Sequence, residues 1–241
     1  MDCHICNKPI VGKYYIDSWG HKVCAIHIEE KEVLHCSTCT GFTCKTHSLV
    51  DGRFLCPVCM NSAIKRGENI DQVISLVHKN LGLVGFGDIN TENIKVQIET
   101  AQFMANLRGG QINTNNKGLA LSKVNSSFSL LGGNKLTMQH TIYMLEYQPR
   151  VEFAGTLAHE LLHAWQVQND ITPPPKLCEG LCNLASYYIF TIMSNSLSNI
   201  LIKGLMNSPD PIYGDGFREV YRMYESINWE GVIEFYRQKK Y

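Results

Sequence analysis

The most regular apolar pattern in the chain runs over residues 151–168. Ala154, Leu157, Ala158, Leu161, Leu162 and Trp165 recur at three- and four-residue steps, the repeat of one helical face. Pro149 stands just before this stretch. Asn169-Asp170 and then Pro173-Pro174-Pro175 stop it, so the pattern predicts a buried helix. A second helical repeat, Ile70, Val73, Ile74, Val77 and Leu81, predicts a helix over 69–81 that Gly82, Gly85 and Gly87 end. Strands are expected over 94–100, 118–124 and 141–147, with a Gly- and Asn-rich loop over 107–116 and a turn at Gly132-Gly133. After the three prolines, the run LCEGLCNLASYYIF from Leu177 is apolar and helical in pattern. Residues 197–206, 217–226 and 229–239 read as further helices. Ser208-Pro209-Asp210-Pro211 breaks the chain before a turn at Tyr213-Gly214-Asp215-Gly216.

The first of these helices carries His159, Glu160 and His163, the pattern H-E-x-x-H. Residues four apart lie on one helical face, so both imidazoles can aim at one point. Two neutral imidazoles leave room on a zinc ion for a third protein ligand and a water, and Glu160 can reach that water as a base. The third ligand is expected from the helix after the prolines. Its lone acid, Glu179, is costly to bury unless it is paired or bound to a metal. His159, His163 and Glu179 would then form a His₂Glu catalytic set. Asn183, one turn later, would hydrogen-bond a liganding histidine from behind. A competing reading has Glu179 capping its helix. Cys178 and Cys182 read as buried small residues. Tyr213 is the candidate donor to a tetrahedral oxyanion, with Tyr187, Tyr188 and His140 as rivals. The strand over 118–124 is the one expected to pair with an extended substrate.

Composition adds a second theme. Eight of the ten cysteines precede residue 60. They fall, with histidines, into the pairs Cys3/Cys6, Cys24/His27, Cys36/Cys39, Cys44/His47 and Cys56/Cys59. A two-residue gap places both side chains on one tetrahedral ion. Cys3, Cys6, Cys24 and His27 are assigned to one zinc, with His21 as a competitor for His27. Cys36, Cys39, Cys56 and Cys59 are assigned to the other, and Cys44 and His47 are left over. These saturated sites are structural, giving two structural zinc ions and one catalytic one. The N-terminus MDCHICNKPI has no apolar run of the export type, so metal binding in a reducing, cytoplasmic setting is expected rather than disulfides. Lys plus Arg and Asp plus Glu both number 22, which argues against nucleic acid or an anionic membrane as partner. No apolar run is long enough to span a bilayer.

Several segments carry a resemblance: CPVCMNSA at Cys56, KGLALS at Lys117, Tyr143 through Trp165, CEGLCN at Cys178 and YGDGFR at Tyr213. The chain resembles the plant LIM-containing peptidases that limit organ growth and are activated by ubiquitin, and their shorter bacterial relatives. The resemblance implies a gluzincin peptidase with His159, His163 and Glu179 on zinc and Glu160 as base. A second LIM domain and a ubiquitin-interacting helix have no counterpart here, so ubiquitin-driven activation is not carried over. The expected fold is α+β: a small treble-type, LIM-like two-zinc module over 1–62, then a mainly helical metallopeptidase domain with a small sheet over 67–241, joined by a polar passage at 61–68. The expected function is zinc-dependent hydrolysis of peptide bonds in a protein or peptide substrate, with the LIM-like module free to bind a protein partner. A non-catalytic adaptor and an esterase or amidase are the alternatives. Glu160 argues against the adaptor, because a structural zinc site has no use for a base.

Overall fold

The computed structural model describes residues 1–44, 48–129 and 133–238. His47, Gly132 of the expected turn and Lys239 lie outside the described residues. The fold is α+β, as the sequence pattern predicts. The cysteine-rich region is built of short pieces: β1 (Tyr14–Ile16), β2 (Lys22–Cys24), α1 (Ala25–Glu29), β3 (Leu34–His35), β4 (Phe42–Thr43) and α2 (Pro57–Asn61). β1 pairs with β2 and β3 with β4, each as an antiparallel ribbon. Ribbons this short do not hold themselves together. Buried Asp17 ties the two halves, accepting from the backbone N–H groups of Trp19, His21 and Phe42 and contacting His21 Nδ1 at 3.0 Å.

The rest of the chain continues with β5 (Ala63–Ile64), α3 (Asp71–Leu81), β6 (Ile94–Glu99), α4 (Ala101–Leu107), β7 (Gly118–Ser129), β8 (Gly133–Leu145) and β9 (Gln148–Pro149). Four long helices follow: α5 (Arg150–Gln168), α6 (Pro175–Met193), α7 (Ser196–Asn207) and α8 (Tyr213–Gln238). β8 lies at the centre of a three-stranded sheet, parallel to β6 and antiparallel to β7. β7 is therefore an edge strand, as expected, but it runs to Ser129 rather than stopping at 124. α5 is buried on nearly every side, Trp165, Leu157 and Leu162 included, and packs against α3, α6, β7 and β8. A helix enclosed all round is the centre of a core rather than a surface element.

Four local expectations change. The passage at 61–68 is not merely polar: Ala63 and Ile64 are buried and pair antiparallel with Pro149 and Gln148, directly before α5. α3 does not stop at Gly82 but goes on through a wider turn, Gly82–Phe86, and breaks at Gly85, whose φ of 110° suits glycine. α4 was not expected; the Thr100 hydroxyl caps it by accepting from Phe103 N at 3.1 Å. Tyr213 to Gly216 is the first turn of α8, not a loop. Asp210 Oδ1 accepts from the N–H groups of Ile212 and Tyr213 and starts the helix there. The two expected C-terminal helices are both present: they meet at Asn228, which takes φ 54° and caps the second by accepting from Glu230 N.

α6 and α8 meet backbone to backbone. A Cβ on Gly180 would overlap the Gly216 carbonyl oxygen, and one on Gly216 would overlap that of Lys176. Gly180→Ala should therefore destabilise the fold by about 1–3 kcal/mol, because neither backbone can yield. Chemical unfolding of the zinc-loaded protein measures this.

Candidate metal centre

The prolines that end α5 and start α6 fold the two helices against each other, and three donor atoms meet between them. His159 Nε2 and His163 Nε2 lie 3.1 Å apart. Glu179 Oε2 stands 3.1 Å from the first and 3.6 Å from the second. Glu179, the fifth residue of α6, therefore faces the two histidines and does not cap its helix. Its Oε2 is buried with no hydrogen-bond donor. Two imidazole nitrogens and a buried, unsatisfied carboxylate oxygen that converge on one point fit a cation between them. The two imidazoles outweigh the burial of Glu179 and hold its carboxyl at about 2. Burial lowers His163, yet Cys178, Glu179 and Glu160 together raise it to about 10.

The surrounding groups fix these donors. His159 Nδ1 lies 3.1 Å from Asn183 Oδ1, and the Asn183 amide donates to the Tyr213 carbonyl oxygen at 3.1 Å. One side chain thus ties a candidate ligand to the start of α8. Glu160 is buried against β7. Burial raises its pKa; the imidazoles and a hydrogen bond from Ala120 N–H oppose the rise, and the Glu179 charge adds to it. A Cβ on Gly118 would overlap Glu160 Oε1, so only glycine lets the base lie this close to the strand. Tyr213 faces the same space. Burial and the charges of Glu179 and Glu160 raise its phenol, while Arg108 lowers it.

These groups line a cleft of 1560 Å³. Along α5 it passes Glu152, Thr156, His159, His163 and Val167 in turn. The β7 edge forms one wall, and α7 with Tyr213 forms the other. Thr38 and Thr40 of the cysteine-rich region also border it. Thr38 Oγ1 donates to Glu152 Oε2 at 3.0 Å, and Lys117 Nζ lies 3.3 Å from Glu152 Oε1. Tyr187, Tyr188 and His140 are outside this cleft. Tyr187 packs on Phe217 and Tyr221, Tyr188 on Trp229, and buried His140 meets Ser122 Oγ. Arg108, whose Nη2 donates to the Gly118 carbonyl at 2.7 Å, is a cleft residue that nothing in the sequence pattern marks. Cys178 and Cys182 are not inert filler, for both sulfurs touch His163 Nδ1.

The remaining cysteines gather as the pairing predicts. Cys3, Cys6, Cys24 and His27 bring their donor atoms within 4.8 Å of one another, and so do Cys36, Cys39, Cys56 and Cys59. His27 Nε2 is buried with no hydrogen-bond partner, which fits a ligand. His21 stacks on His4 instead, with ring centroids 4.0 Å apart, and does not compete for that position. In the second cluster Cys36 is pushed down by hydrogen bonds from Cys39 and its neighbours and Cys59 is pushed up, as crowded sulfurs sharing too few protons require. Trp19 Nε1 donates to Cys39 Sγ at 3.0 Å. Cys44 belongs to neither group. Among the described residues no helix is long and apolar enough to cross a membrane.

No protein-family model matches the chain, and no solved structure matches it. Three plant proteins are similar in sequence. The LIM domain-containing protein HDR3 of Oryza sativa subsp. japonica is 25% identical over 194 residues, covering 70% of this chain and 38% of the relative. Protein DA1-related 2 of Arabidopsis thaliana is 26% identical over 194 residues, covering 70% and 37%. Protein DA1-related 7 of the same plant is 24% identical over 298 residues, covering 97% and 52%. The chain thus spans about half the length of these relatives or less. It shares a distant likeness with LIM-domain and DA1-related proteins and carries clusters suited to zinc.

Asn183 holds His159 from behind, so Asn183→Ala should weaken metal binding between α5 and α6 by about 10–100-fold. Competition with a chromogenic chelator reads this directly.

Proposed function

We propose that the chain is a zinc-dependent metallopeptidase of the gluzincin type, with one catalytic and two structural zinc ions. The observation that supports this most is the buried Glu160 carboxylate, set beside three converging donors at the middle of an open cleft. A structural metal site has no use for a base. His159, His163 and Glu179 would hold the ion, which when bound polarises a carbonyl and lowers the pKa of water. Glu160 takes the proton of the attacking water and passes it to the leaving amine. Its raised pKa suits this work, since a base that is too weak would not take the proton. Tyr213 donates its hydroxyl hydrogen to the oxygen that gains charge, from the wall that it forms with α7.

The cleft also fits an extended chain. Glu152 to Val167 is sixteen residues of helix, a rise of about 22 Å over the fifteen steps between them at 1.5 Å each. That length holds roughly six or seven residues of extended polypeptide. His159 stands near its middle, and the β7 edge beside it offers backbone groups that pair with a substrate whatever its side chains. Two outward groups of this edge, Gly118 C=O and Ala120 N–H, are already used by Arg108 and Glu160, so pairing would run through the residues beyond them.

Glu160→Gln should keep all three zinc ions, counted by metal analysis, and lower peptide hydrolysis by about 10²–10⁴-fold. Two zinc ions per wild-type chain, with no hydrolysis, would favour the adaptor reading. Tyr213→Phe should lower kcat by about 10²–10³-fold with little change in KM. The pH profile follows from the direction of the Glu160 shift. A raised pKa keeps the base protonated to higher pH, so activity should climb with pH through a limb lying above the ordinary 4.5. A limb at or below that value would count against Glu160 as the base.

A further inference from the structure

Two cysteines beside the first site, each grouped with its histidines as possible metal ligands, play no part in the reading above. Cys178 and Cys182 stand one turn apart on α6 and face the other nitrogen of His163. Nδ1 lies 3.7 Å from Cys178 Sγ and 3.5 Å from Cys182 Sγ. A tetrahedral ion holding sulfur at about 2.3 Å and nitrogen at about 2.0 Å sets these donors about 3.5 Å apart. Both observed separations are close to that. We propose that Cys178, Cys182 and His163 Nδ1 form a second metal site, selective for a thiophilic d¹⁰ cation and placed back to back with the first across one imidazole.

The neighbouring contacts favour such a site. Gln166 holds both sulfurs in place. Cys178 Sγ donates to Gln166 Oε1 at 3.0 Å, and Gln166 Nε2 approaches the Cys178 carbonyl at 3.4 Å and Cys182 Sγ at 3.7 Å. Cys178 and Gln166 border the cleft, so an ion can enter from solvent, while Cys182 lies wholly buried beneath. The spacing suits a chelate better than a disulfide. Side chains four apart on a helix have Cβ atoms about 5–6 Å apart, whereas a disulfide needs about 3.8 Å. Two thiolates and an imidazole nitrogen also match the ligand preference of soft cations. Binding releases the two thiol protons and the Nδ1 proton to solvent and leaves the ring bridging two ions.

With the second site empty, Nδ1–H can donate to sulfur and steady the ring. With the second site filled, the deprotonated ring is a stronger donor through Nε2, which makes the first ion a weaker Lewis acid. The loss of hydrolysis that follows rests on the peptidase reading; the binding itself does not.

The test uses the full chain loaded with zinc and titrated with Cd²⁺ alone. Bound cadmium is counted after desalting, and sulfur-to-cadmium charge-transfer absorption is recorded. Wild type is compared with Cys178→Ser and with Cys178→Ser/Cys182→Ala; circular dichroism and zinc content report folding. Exchange of cadmium for zinc at the other cysteine clusters is common to all three and cancels. The double variant should bind one cadmium ion fewer per chain and lose part of the charge-transfer band. Cys178→Ser, which changes only a partly buried side chain, should bind that ion more weakly and decides the matter if the double variant misfolds. Equal cadmium binding and equal absorption in wild type and variants, or no cadmium taken up beyond exchange, would overturn the proposal. Cadmium-dependent loss of peptide hydrolysis should occur in wild type and shrink in the variants, each relative to its own cadmium-free rate. If the binding difference is present but zinc-loaded wild type cuts no peptide, the second site stands and the peptidase reading fails.

Discussion

A carboxylate oxygen removed from water must have a donor or a cation beside it. Glu179 Oε2 is buried with no hydrogen-bond partner, and two imidazole nitrogens stand 3.1 and 3.6 Å from it. Much of the larger half of the molecule is arranged around that point. α5 is packed on every face except the one turned to the cleft, so the helix that carries the two histidines is held in place. Three prolines return the chain so that α6 lies against α5. Gly180 and Gly216 let α8 approach α6 at backbone distance, which brings Tyr213 to the same cleft. Asn183 then links His159 to the Tyr213 backbone, so one amide orients a candidate ligand and a candidate donor together.

The parts of this arrangement legible in the sequence are those set by short spacing. Two histidines four apart on an apolar helix share a face whatever surrounds them, and cysteines three apart share a turn. Glu179 could be picked out because it is the lone acid in an apolar helix, where burial without a partner is costly. The Thr100 cap of α4 was also there to be read, but the seven-residue helix behind it has too short an apolar repeat to stand out.

What the sequence hid depends on contacts between distant segments. Tyr213-Gly214-Asp215-Gly216 looks like a turn because glycine is permissive. Here the glycines serve close approach inside a helix that Asp210 starts. The polar passage after the cysteines gave no sign that Ala63 and Ile64 would be buried, since their partner lies more than eighty residues on. Cys178 and Cys182 read as filler because nothing local shows that His163 turns its second nitrogen toward them. Arg108 enters the cleft from a loop, and no periodicity governs a loop.

The two-residue pairing of β5 with β9 joins the end of the cysteine-rich region to the first residues of α5. Tyr147 N and Arg150 N donate to the carbonyls of Ile64 and Ser62, on either side of that pairing. The second cysteine cluster shares one apolar patch with Val151 and Phe190. Any collapse of that cluster would therefore unpin the near end of the helix that carries both histidines. The two donor clusters are in this sense mechanically in series: the four-cysteine cluster acts as the footing on which the alignment of the distant donors is built.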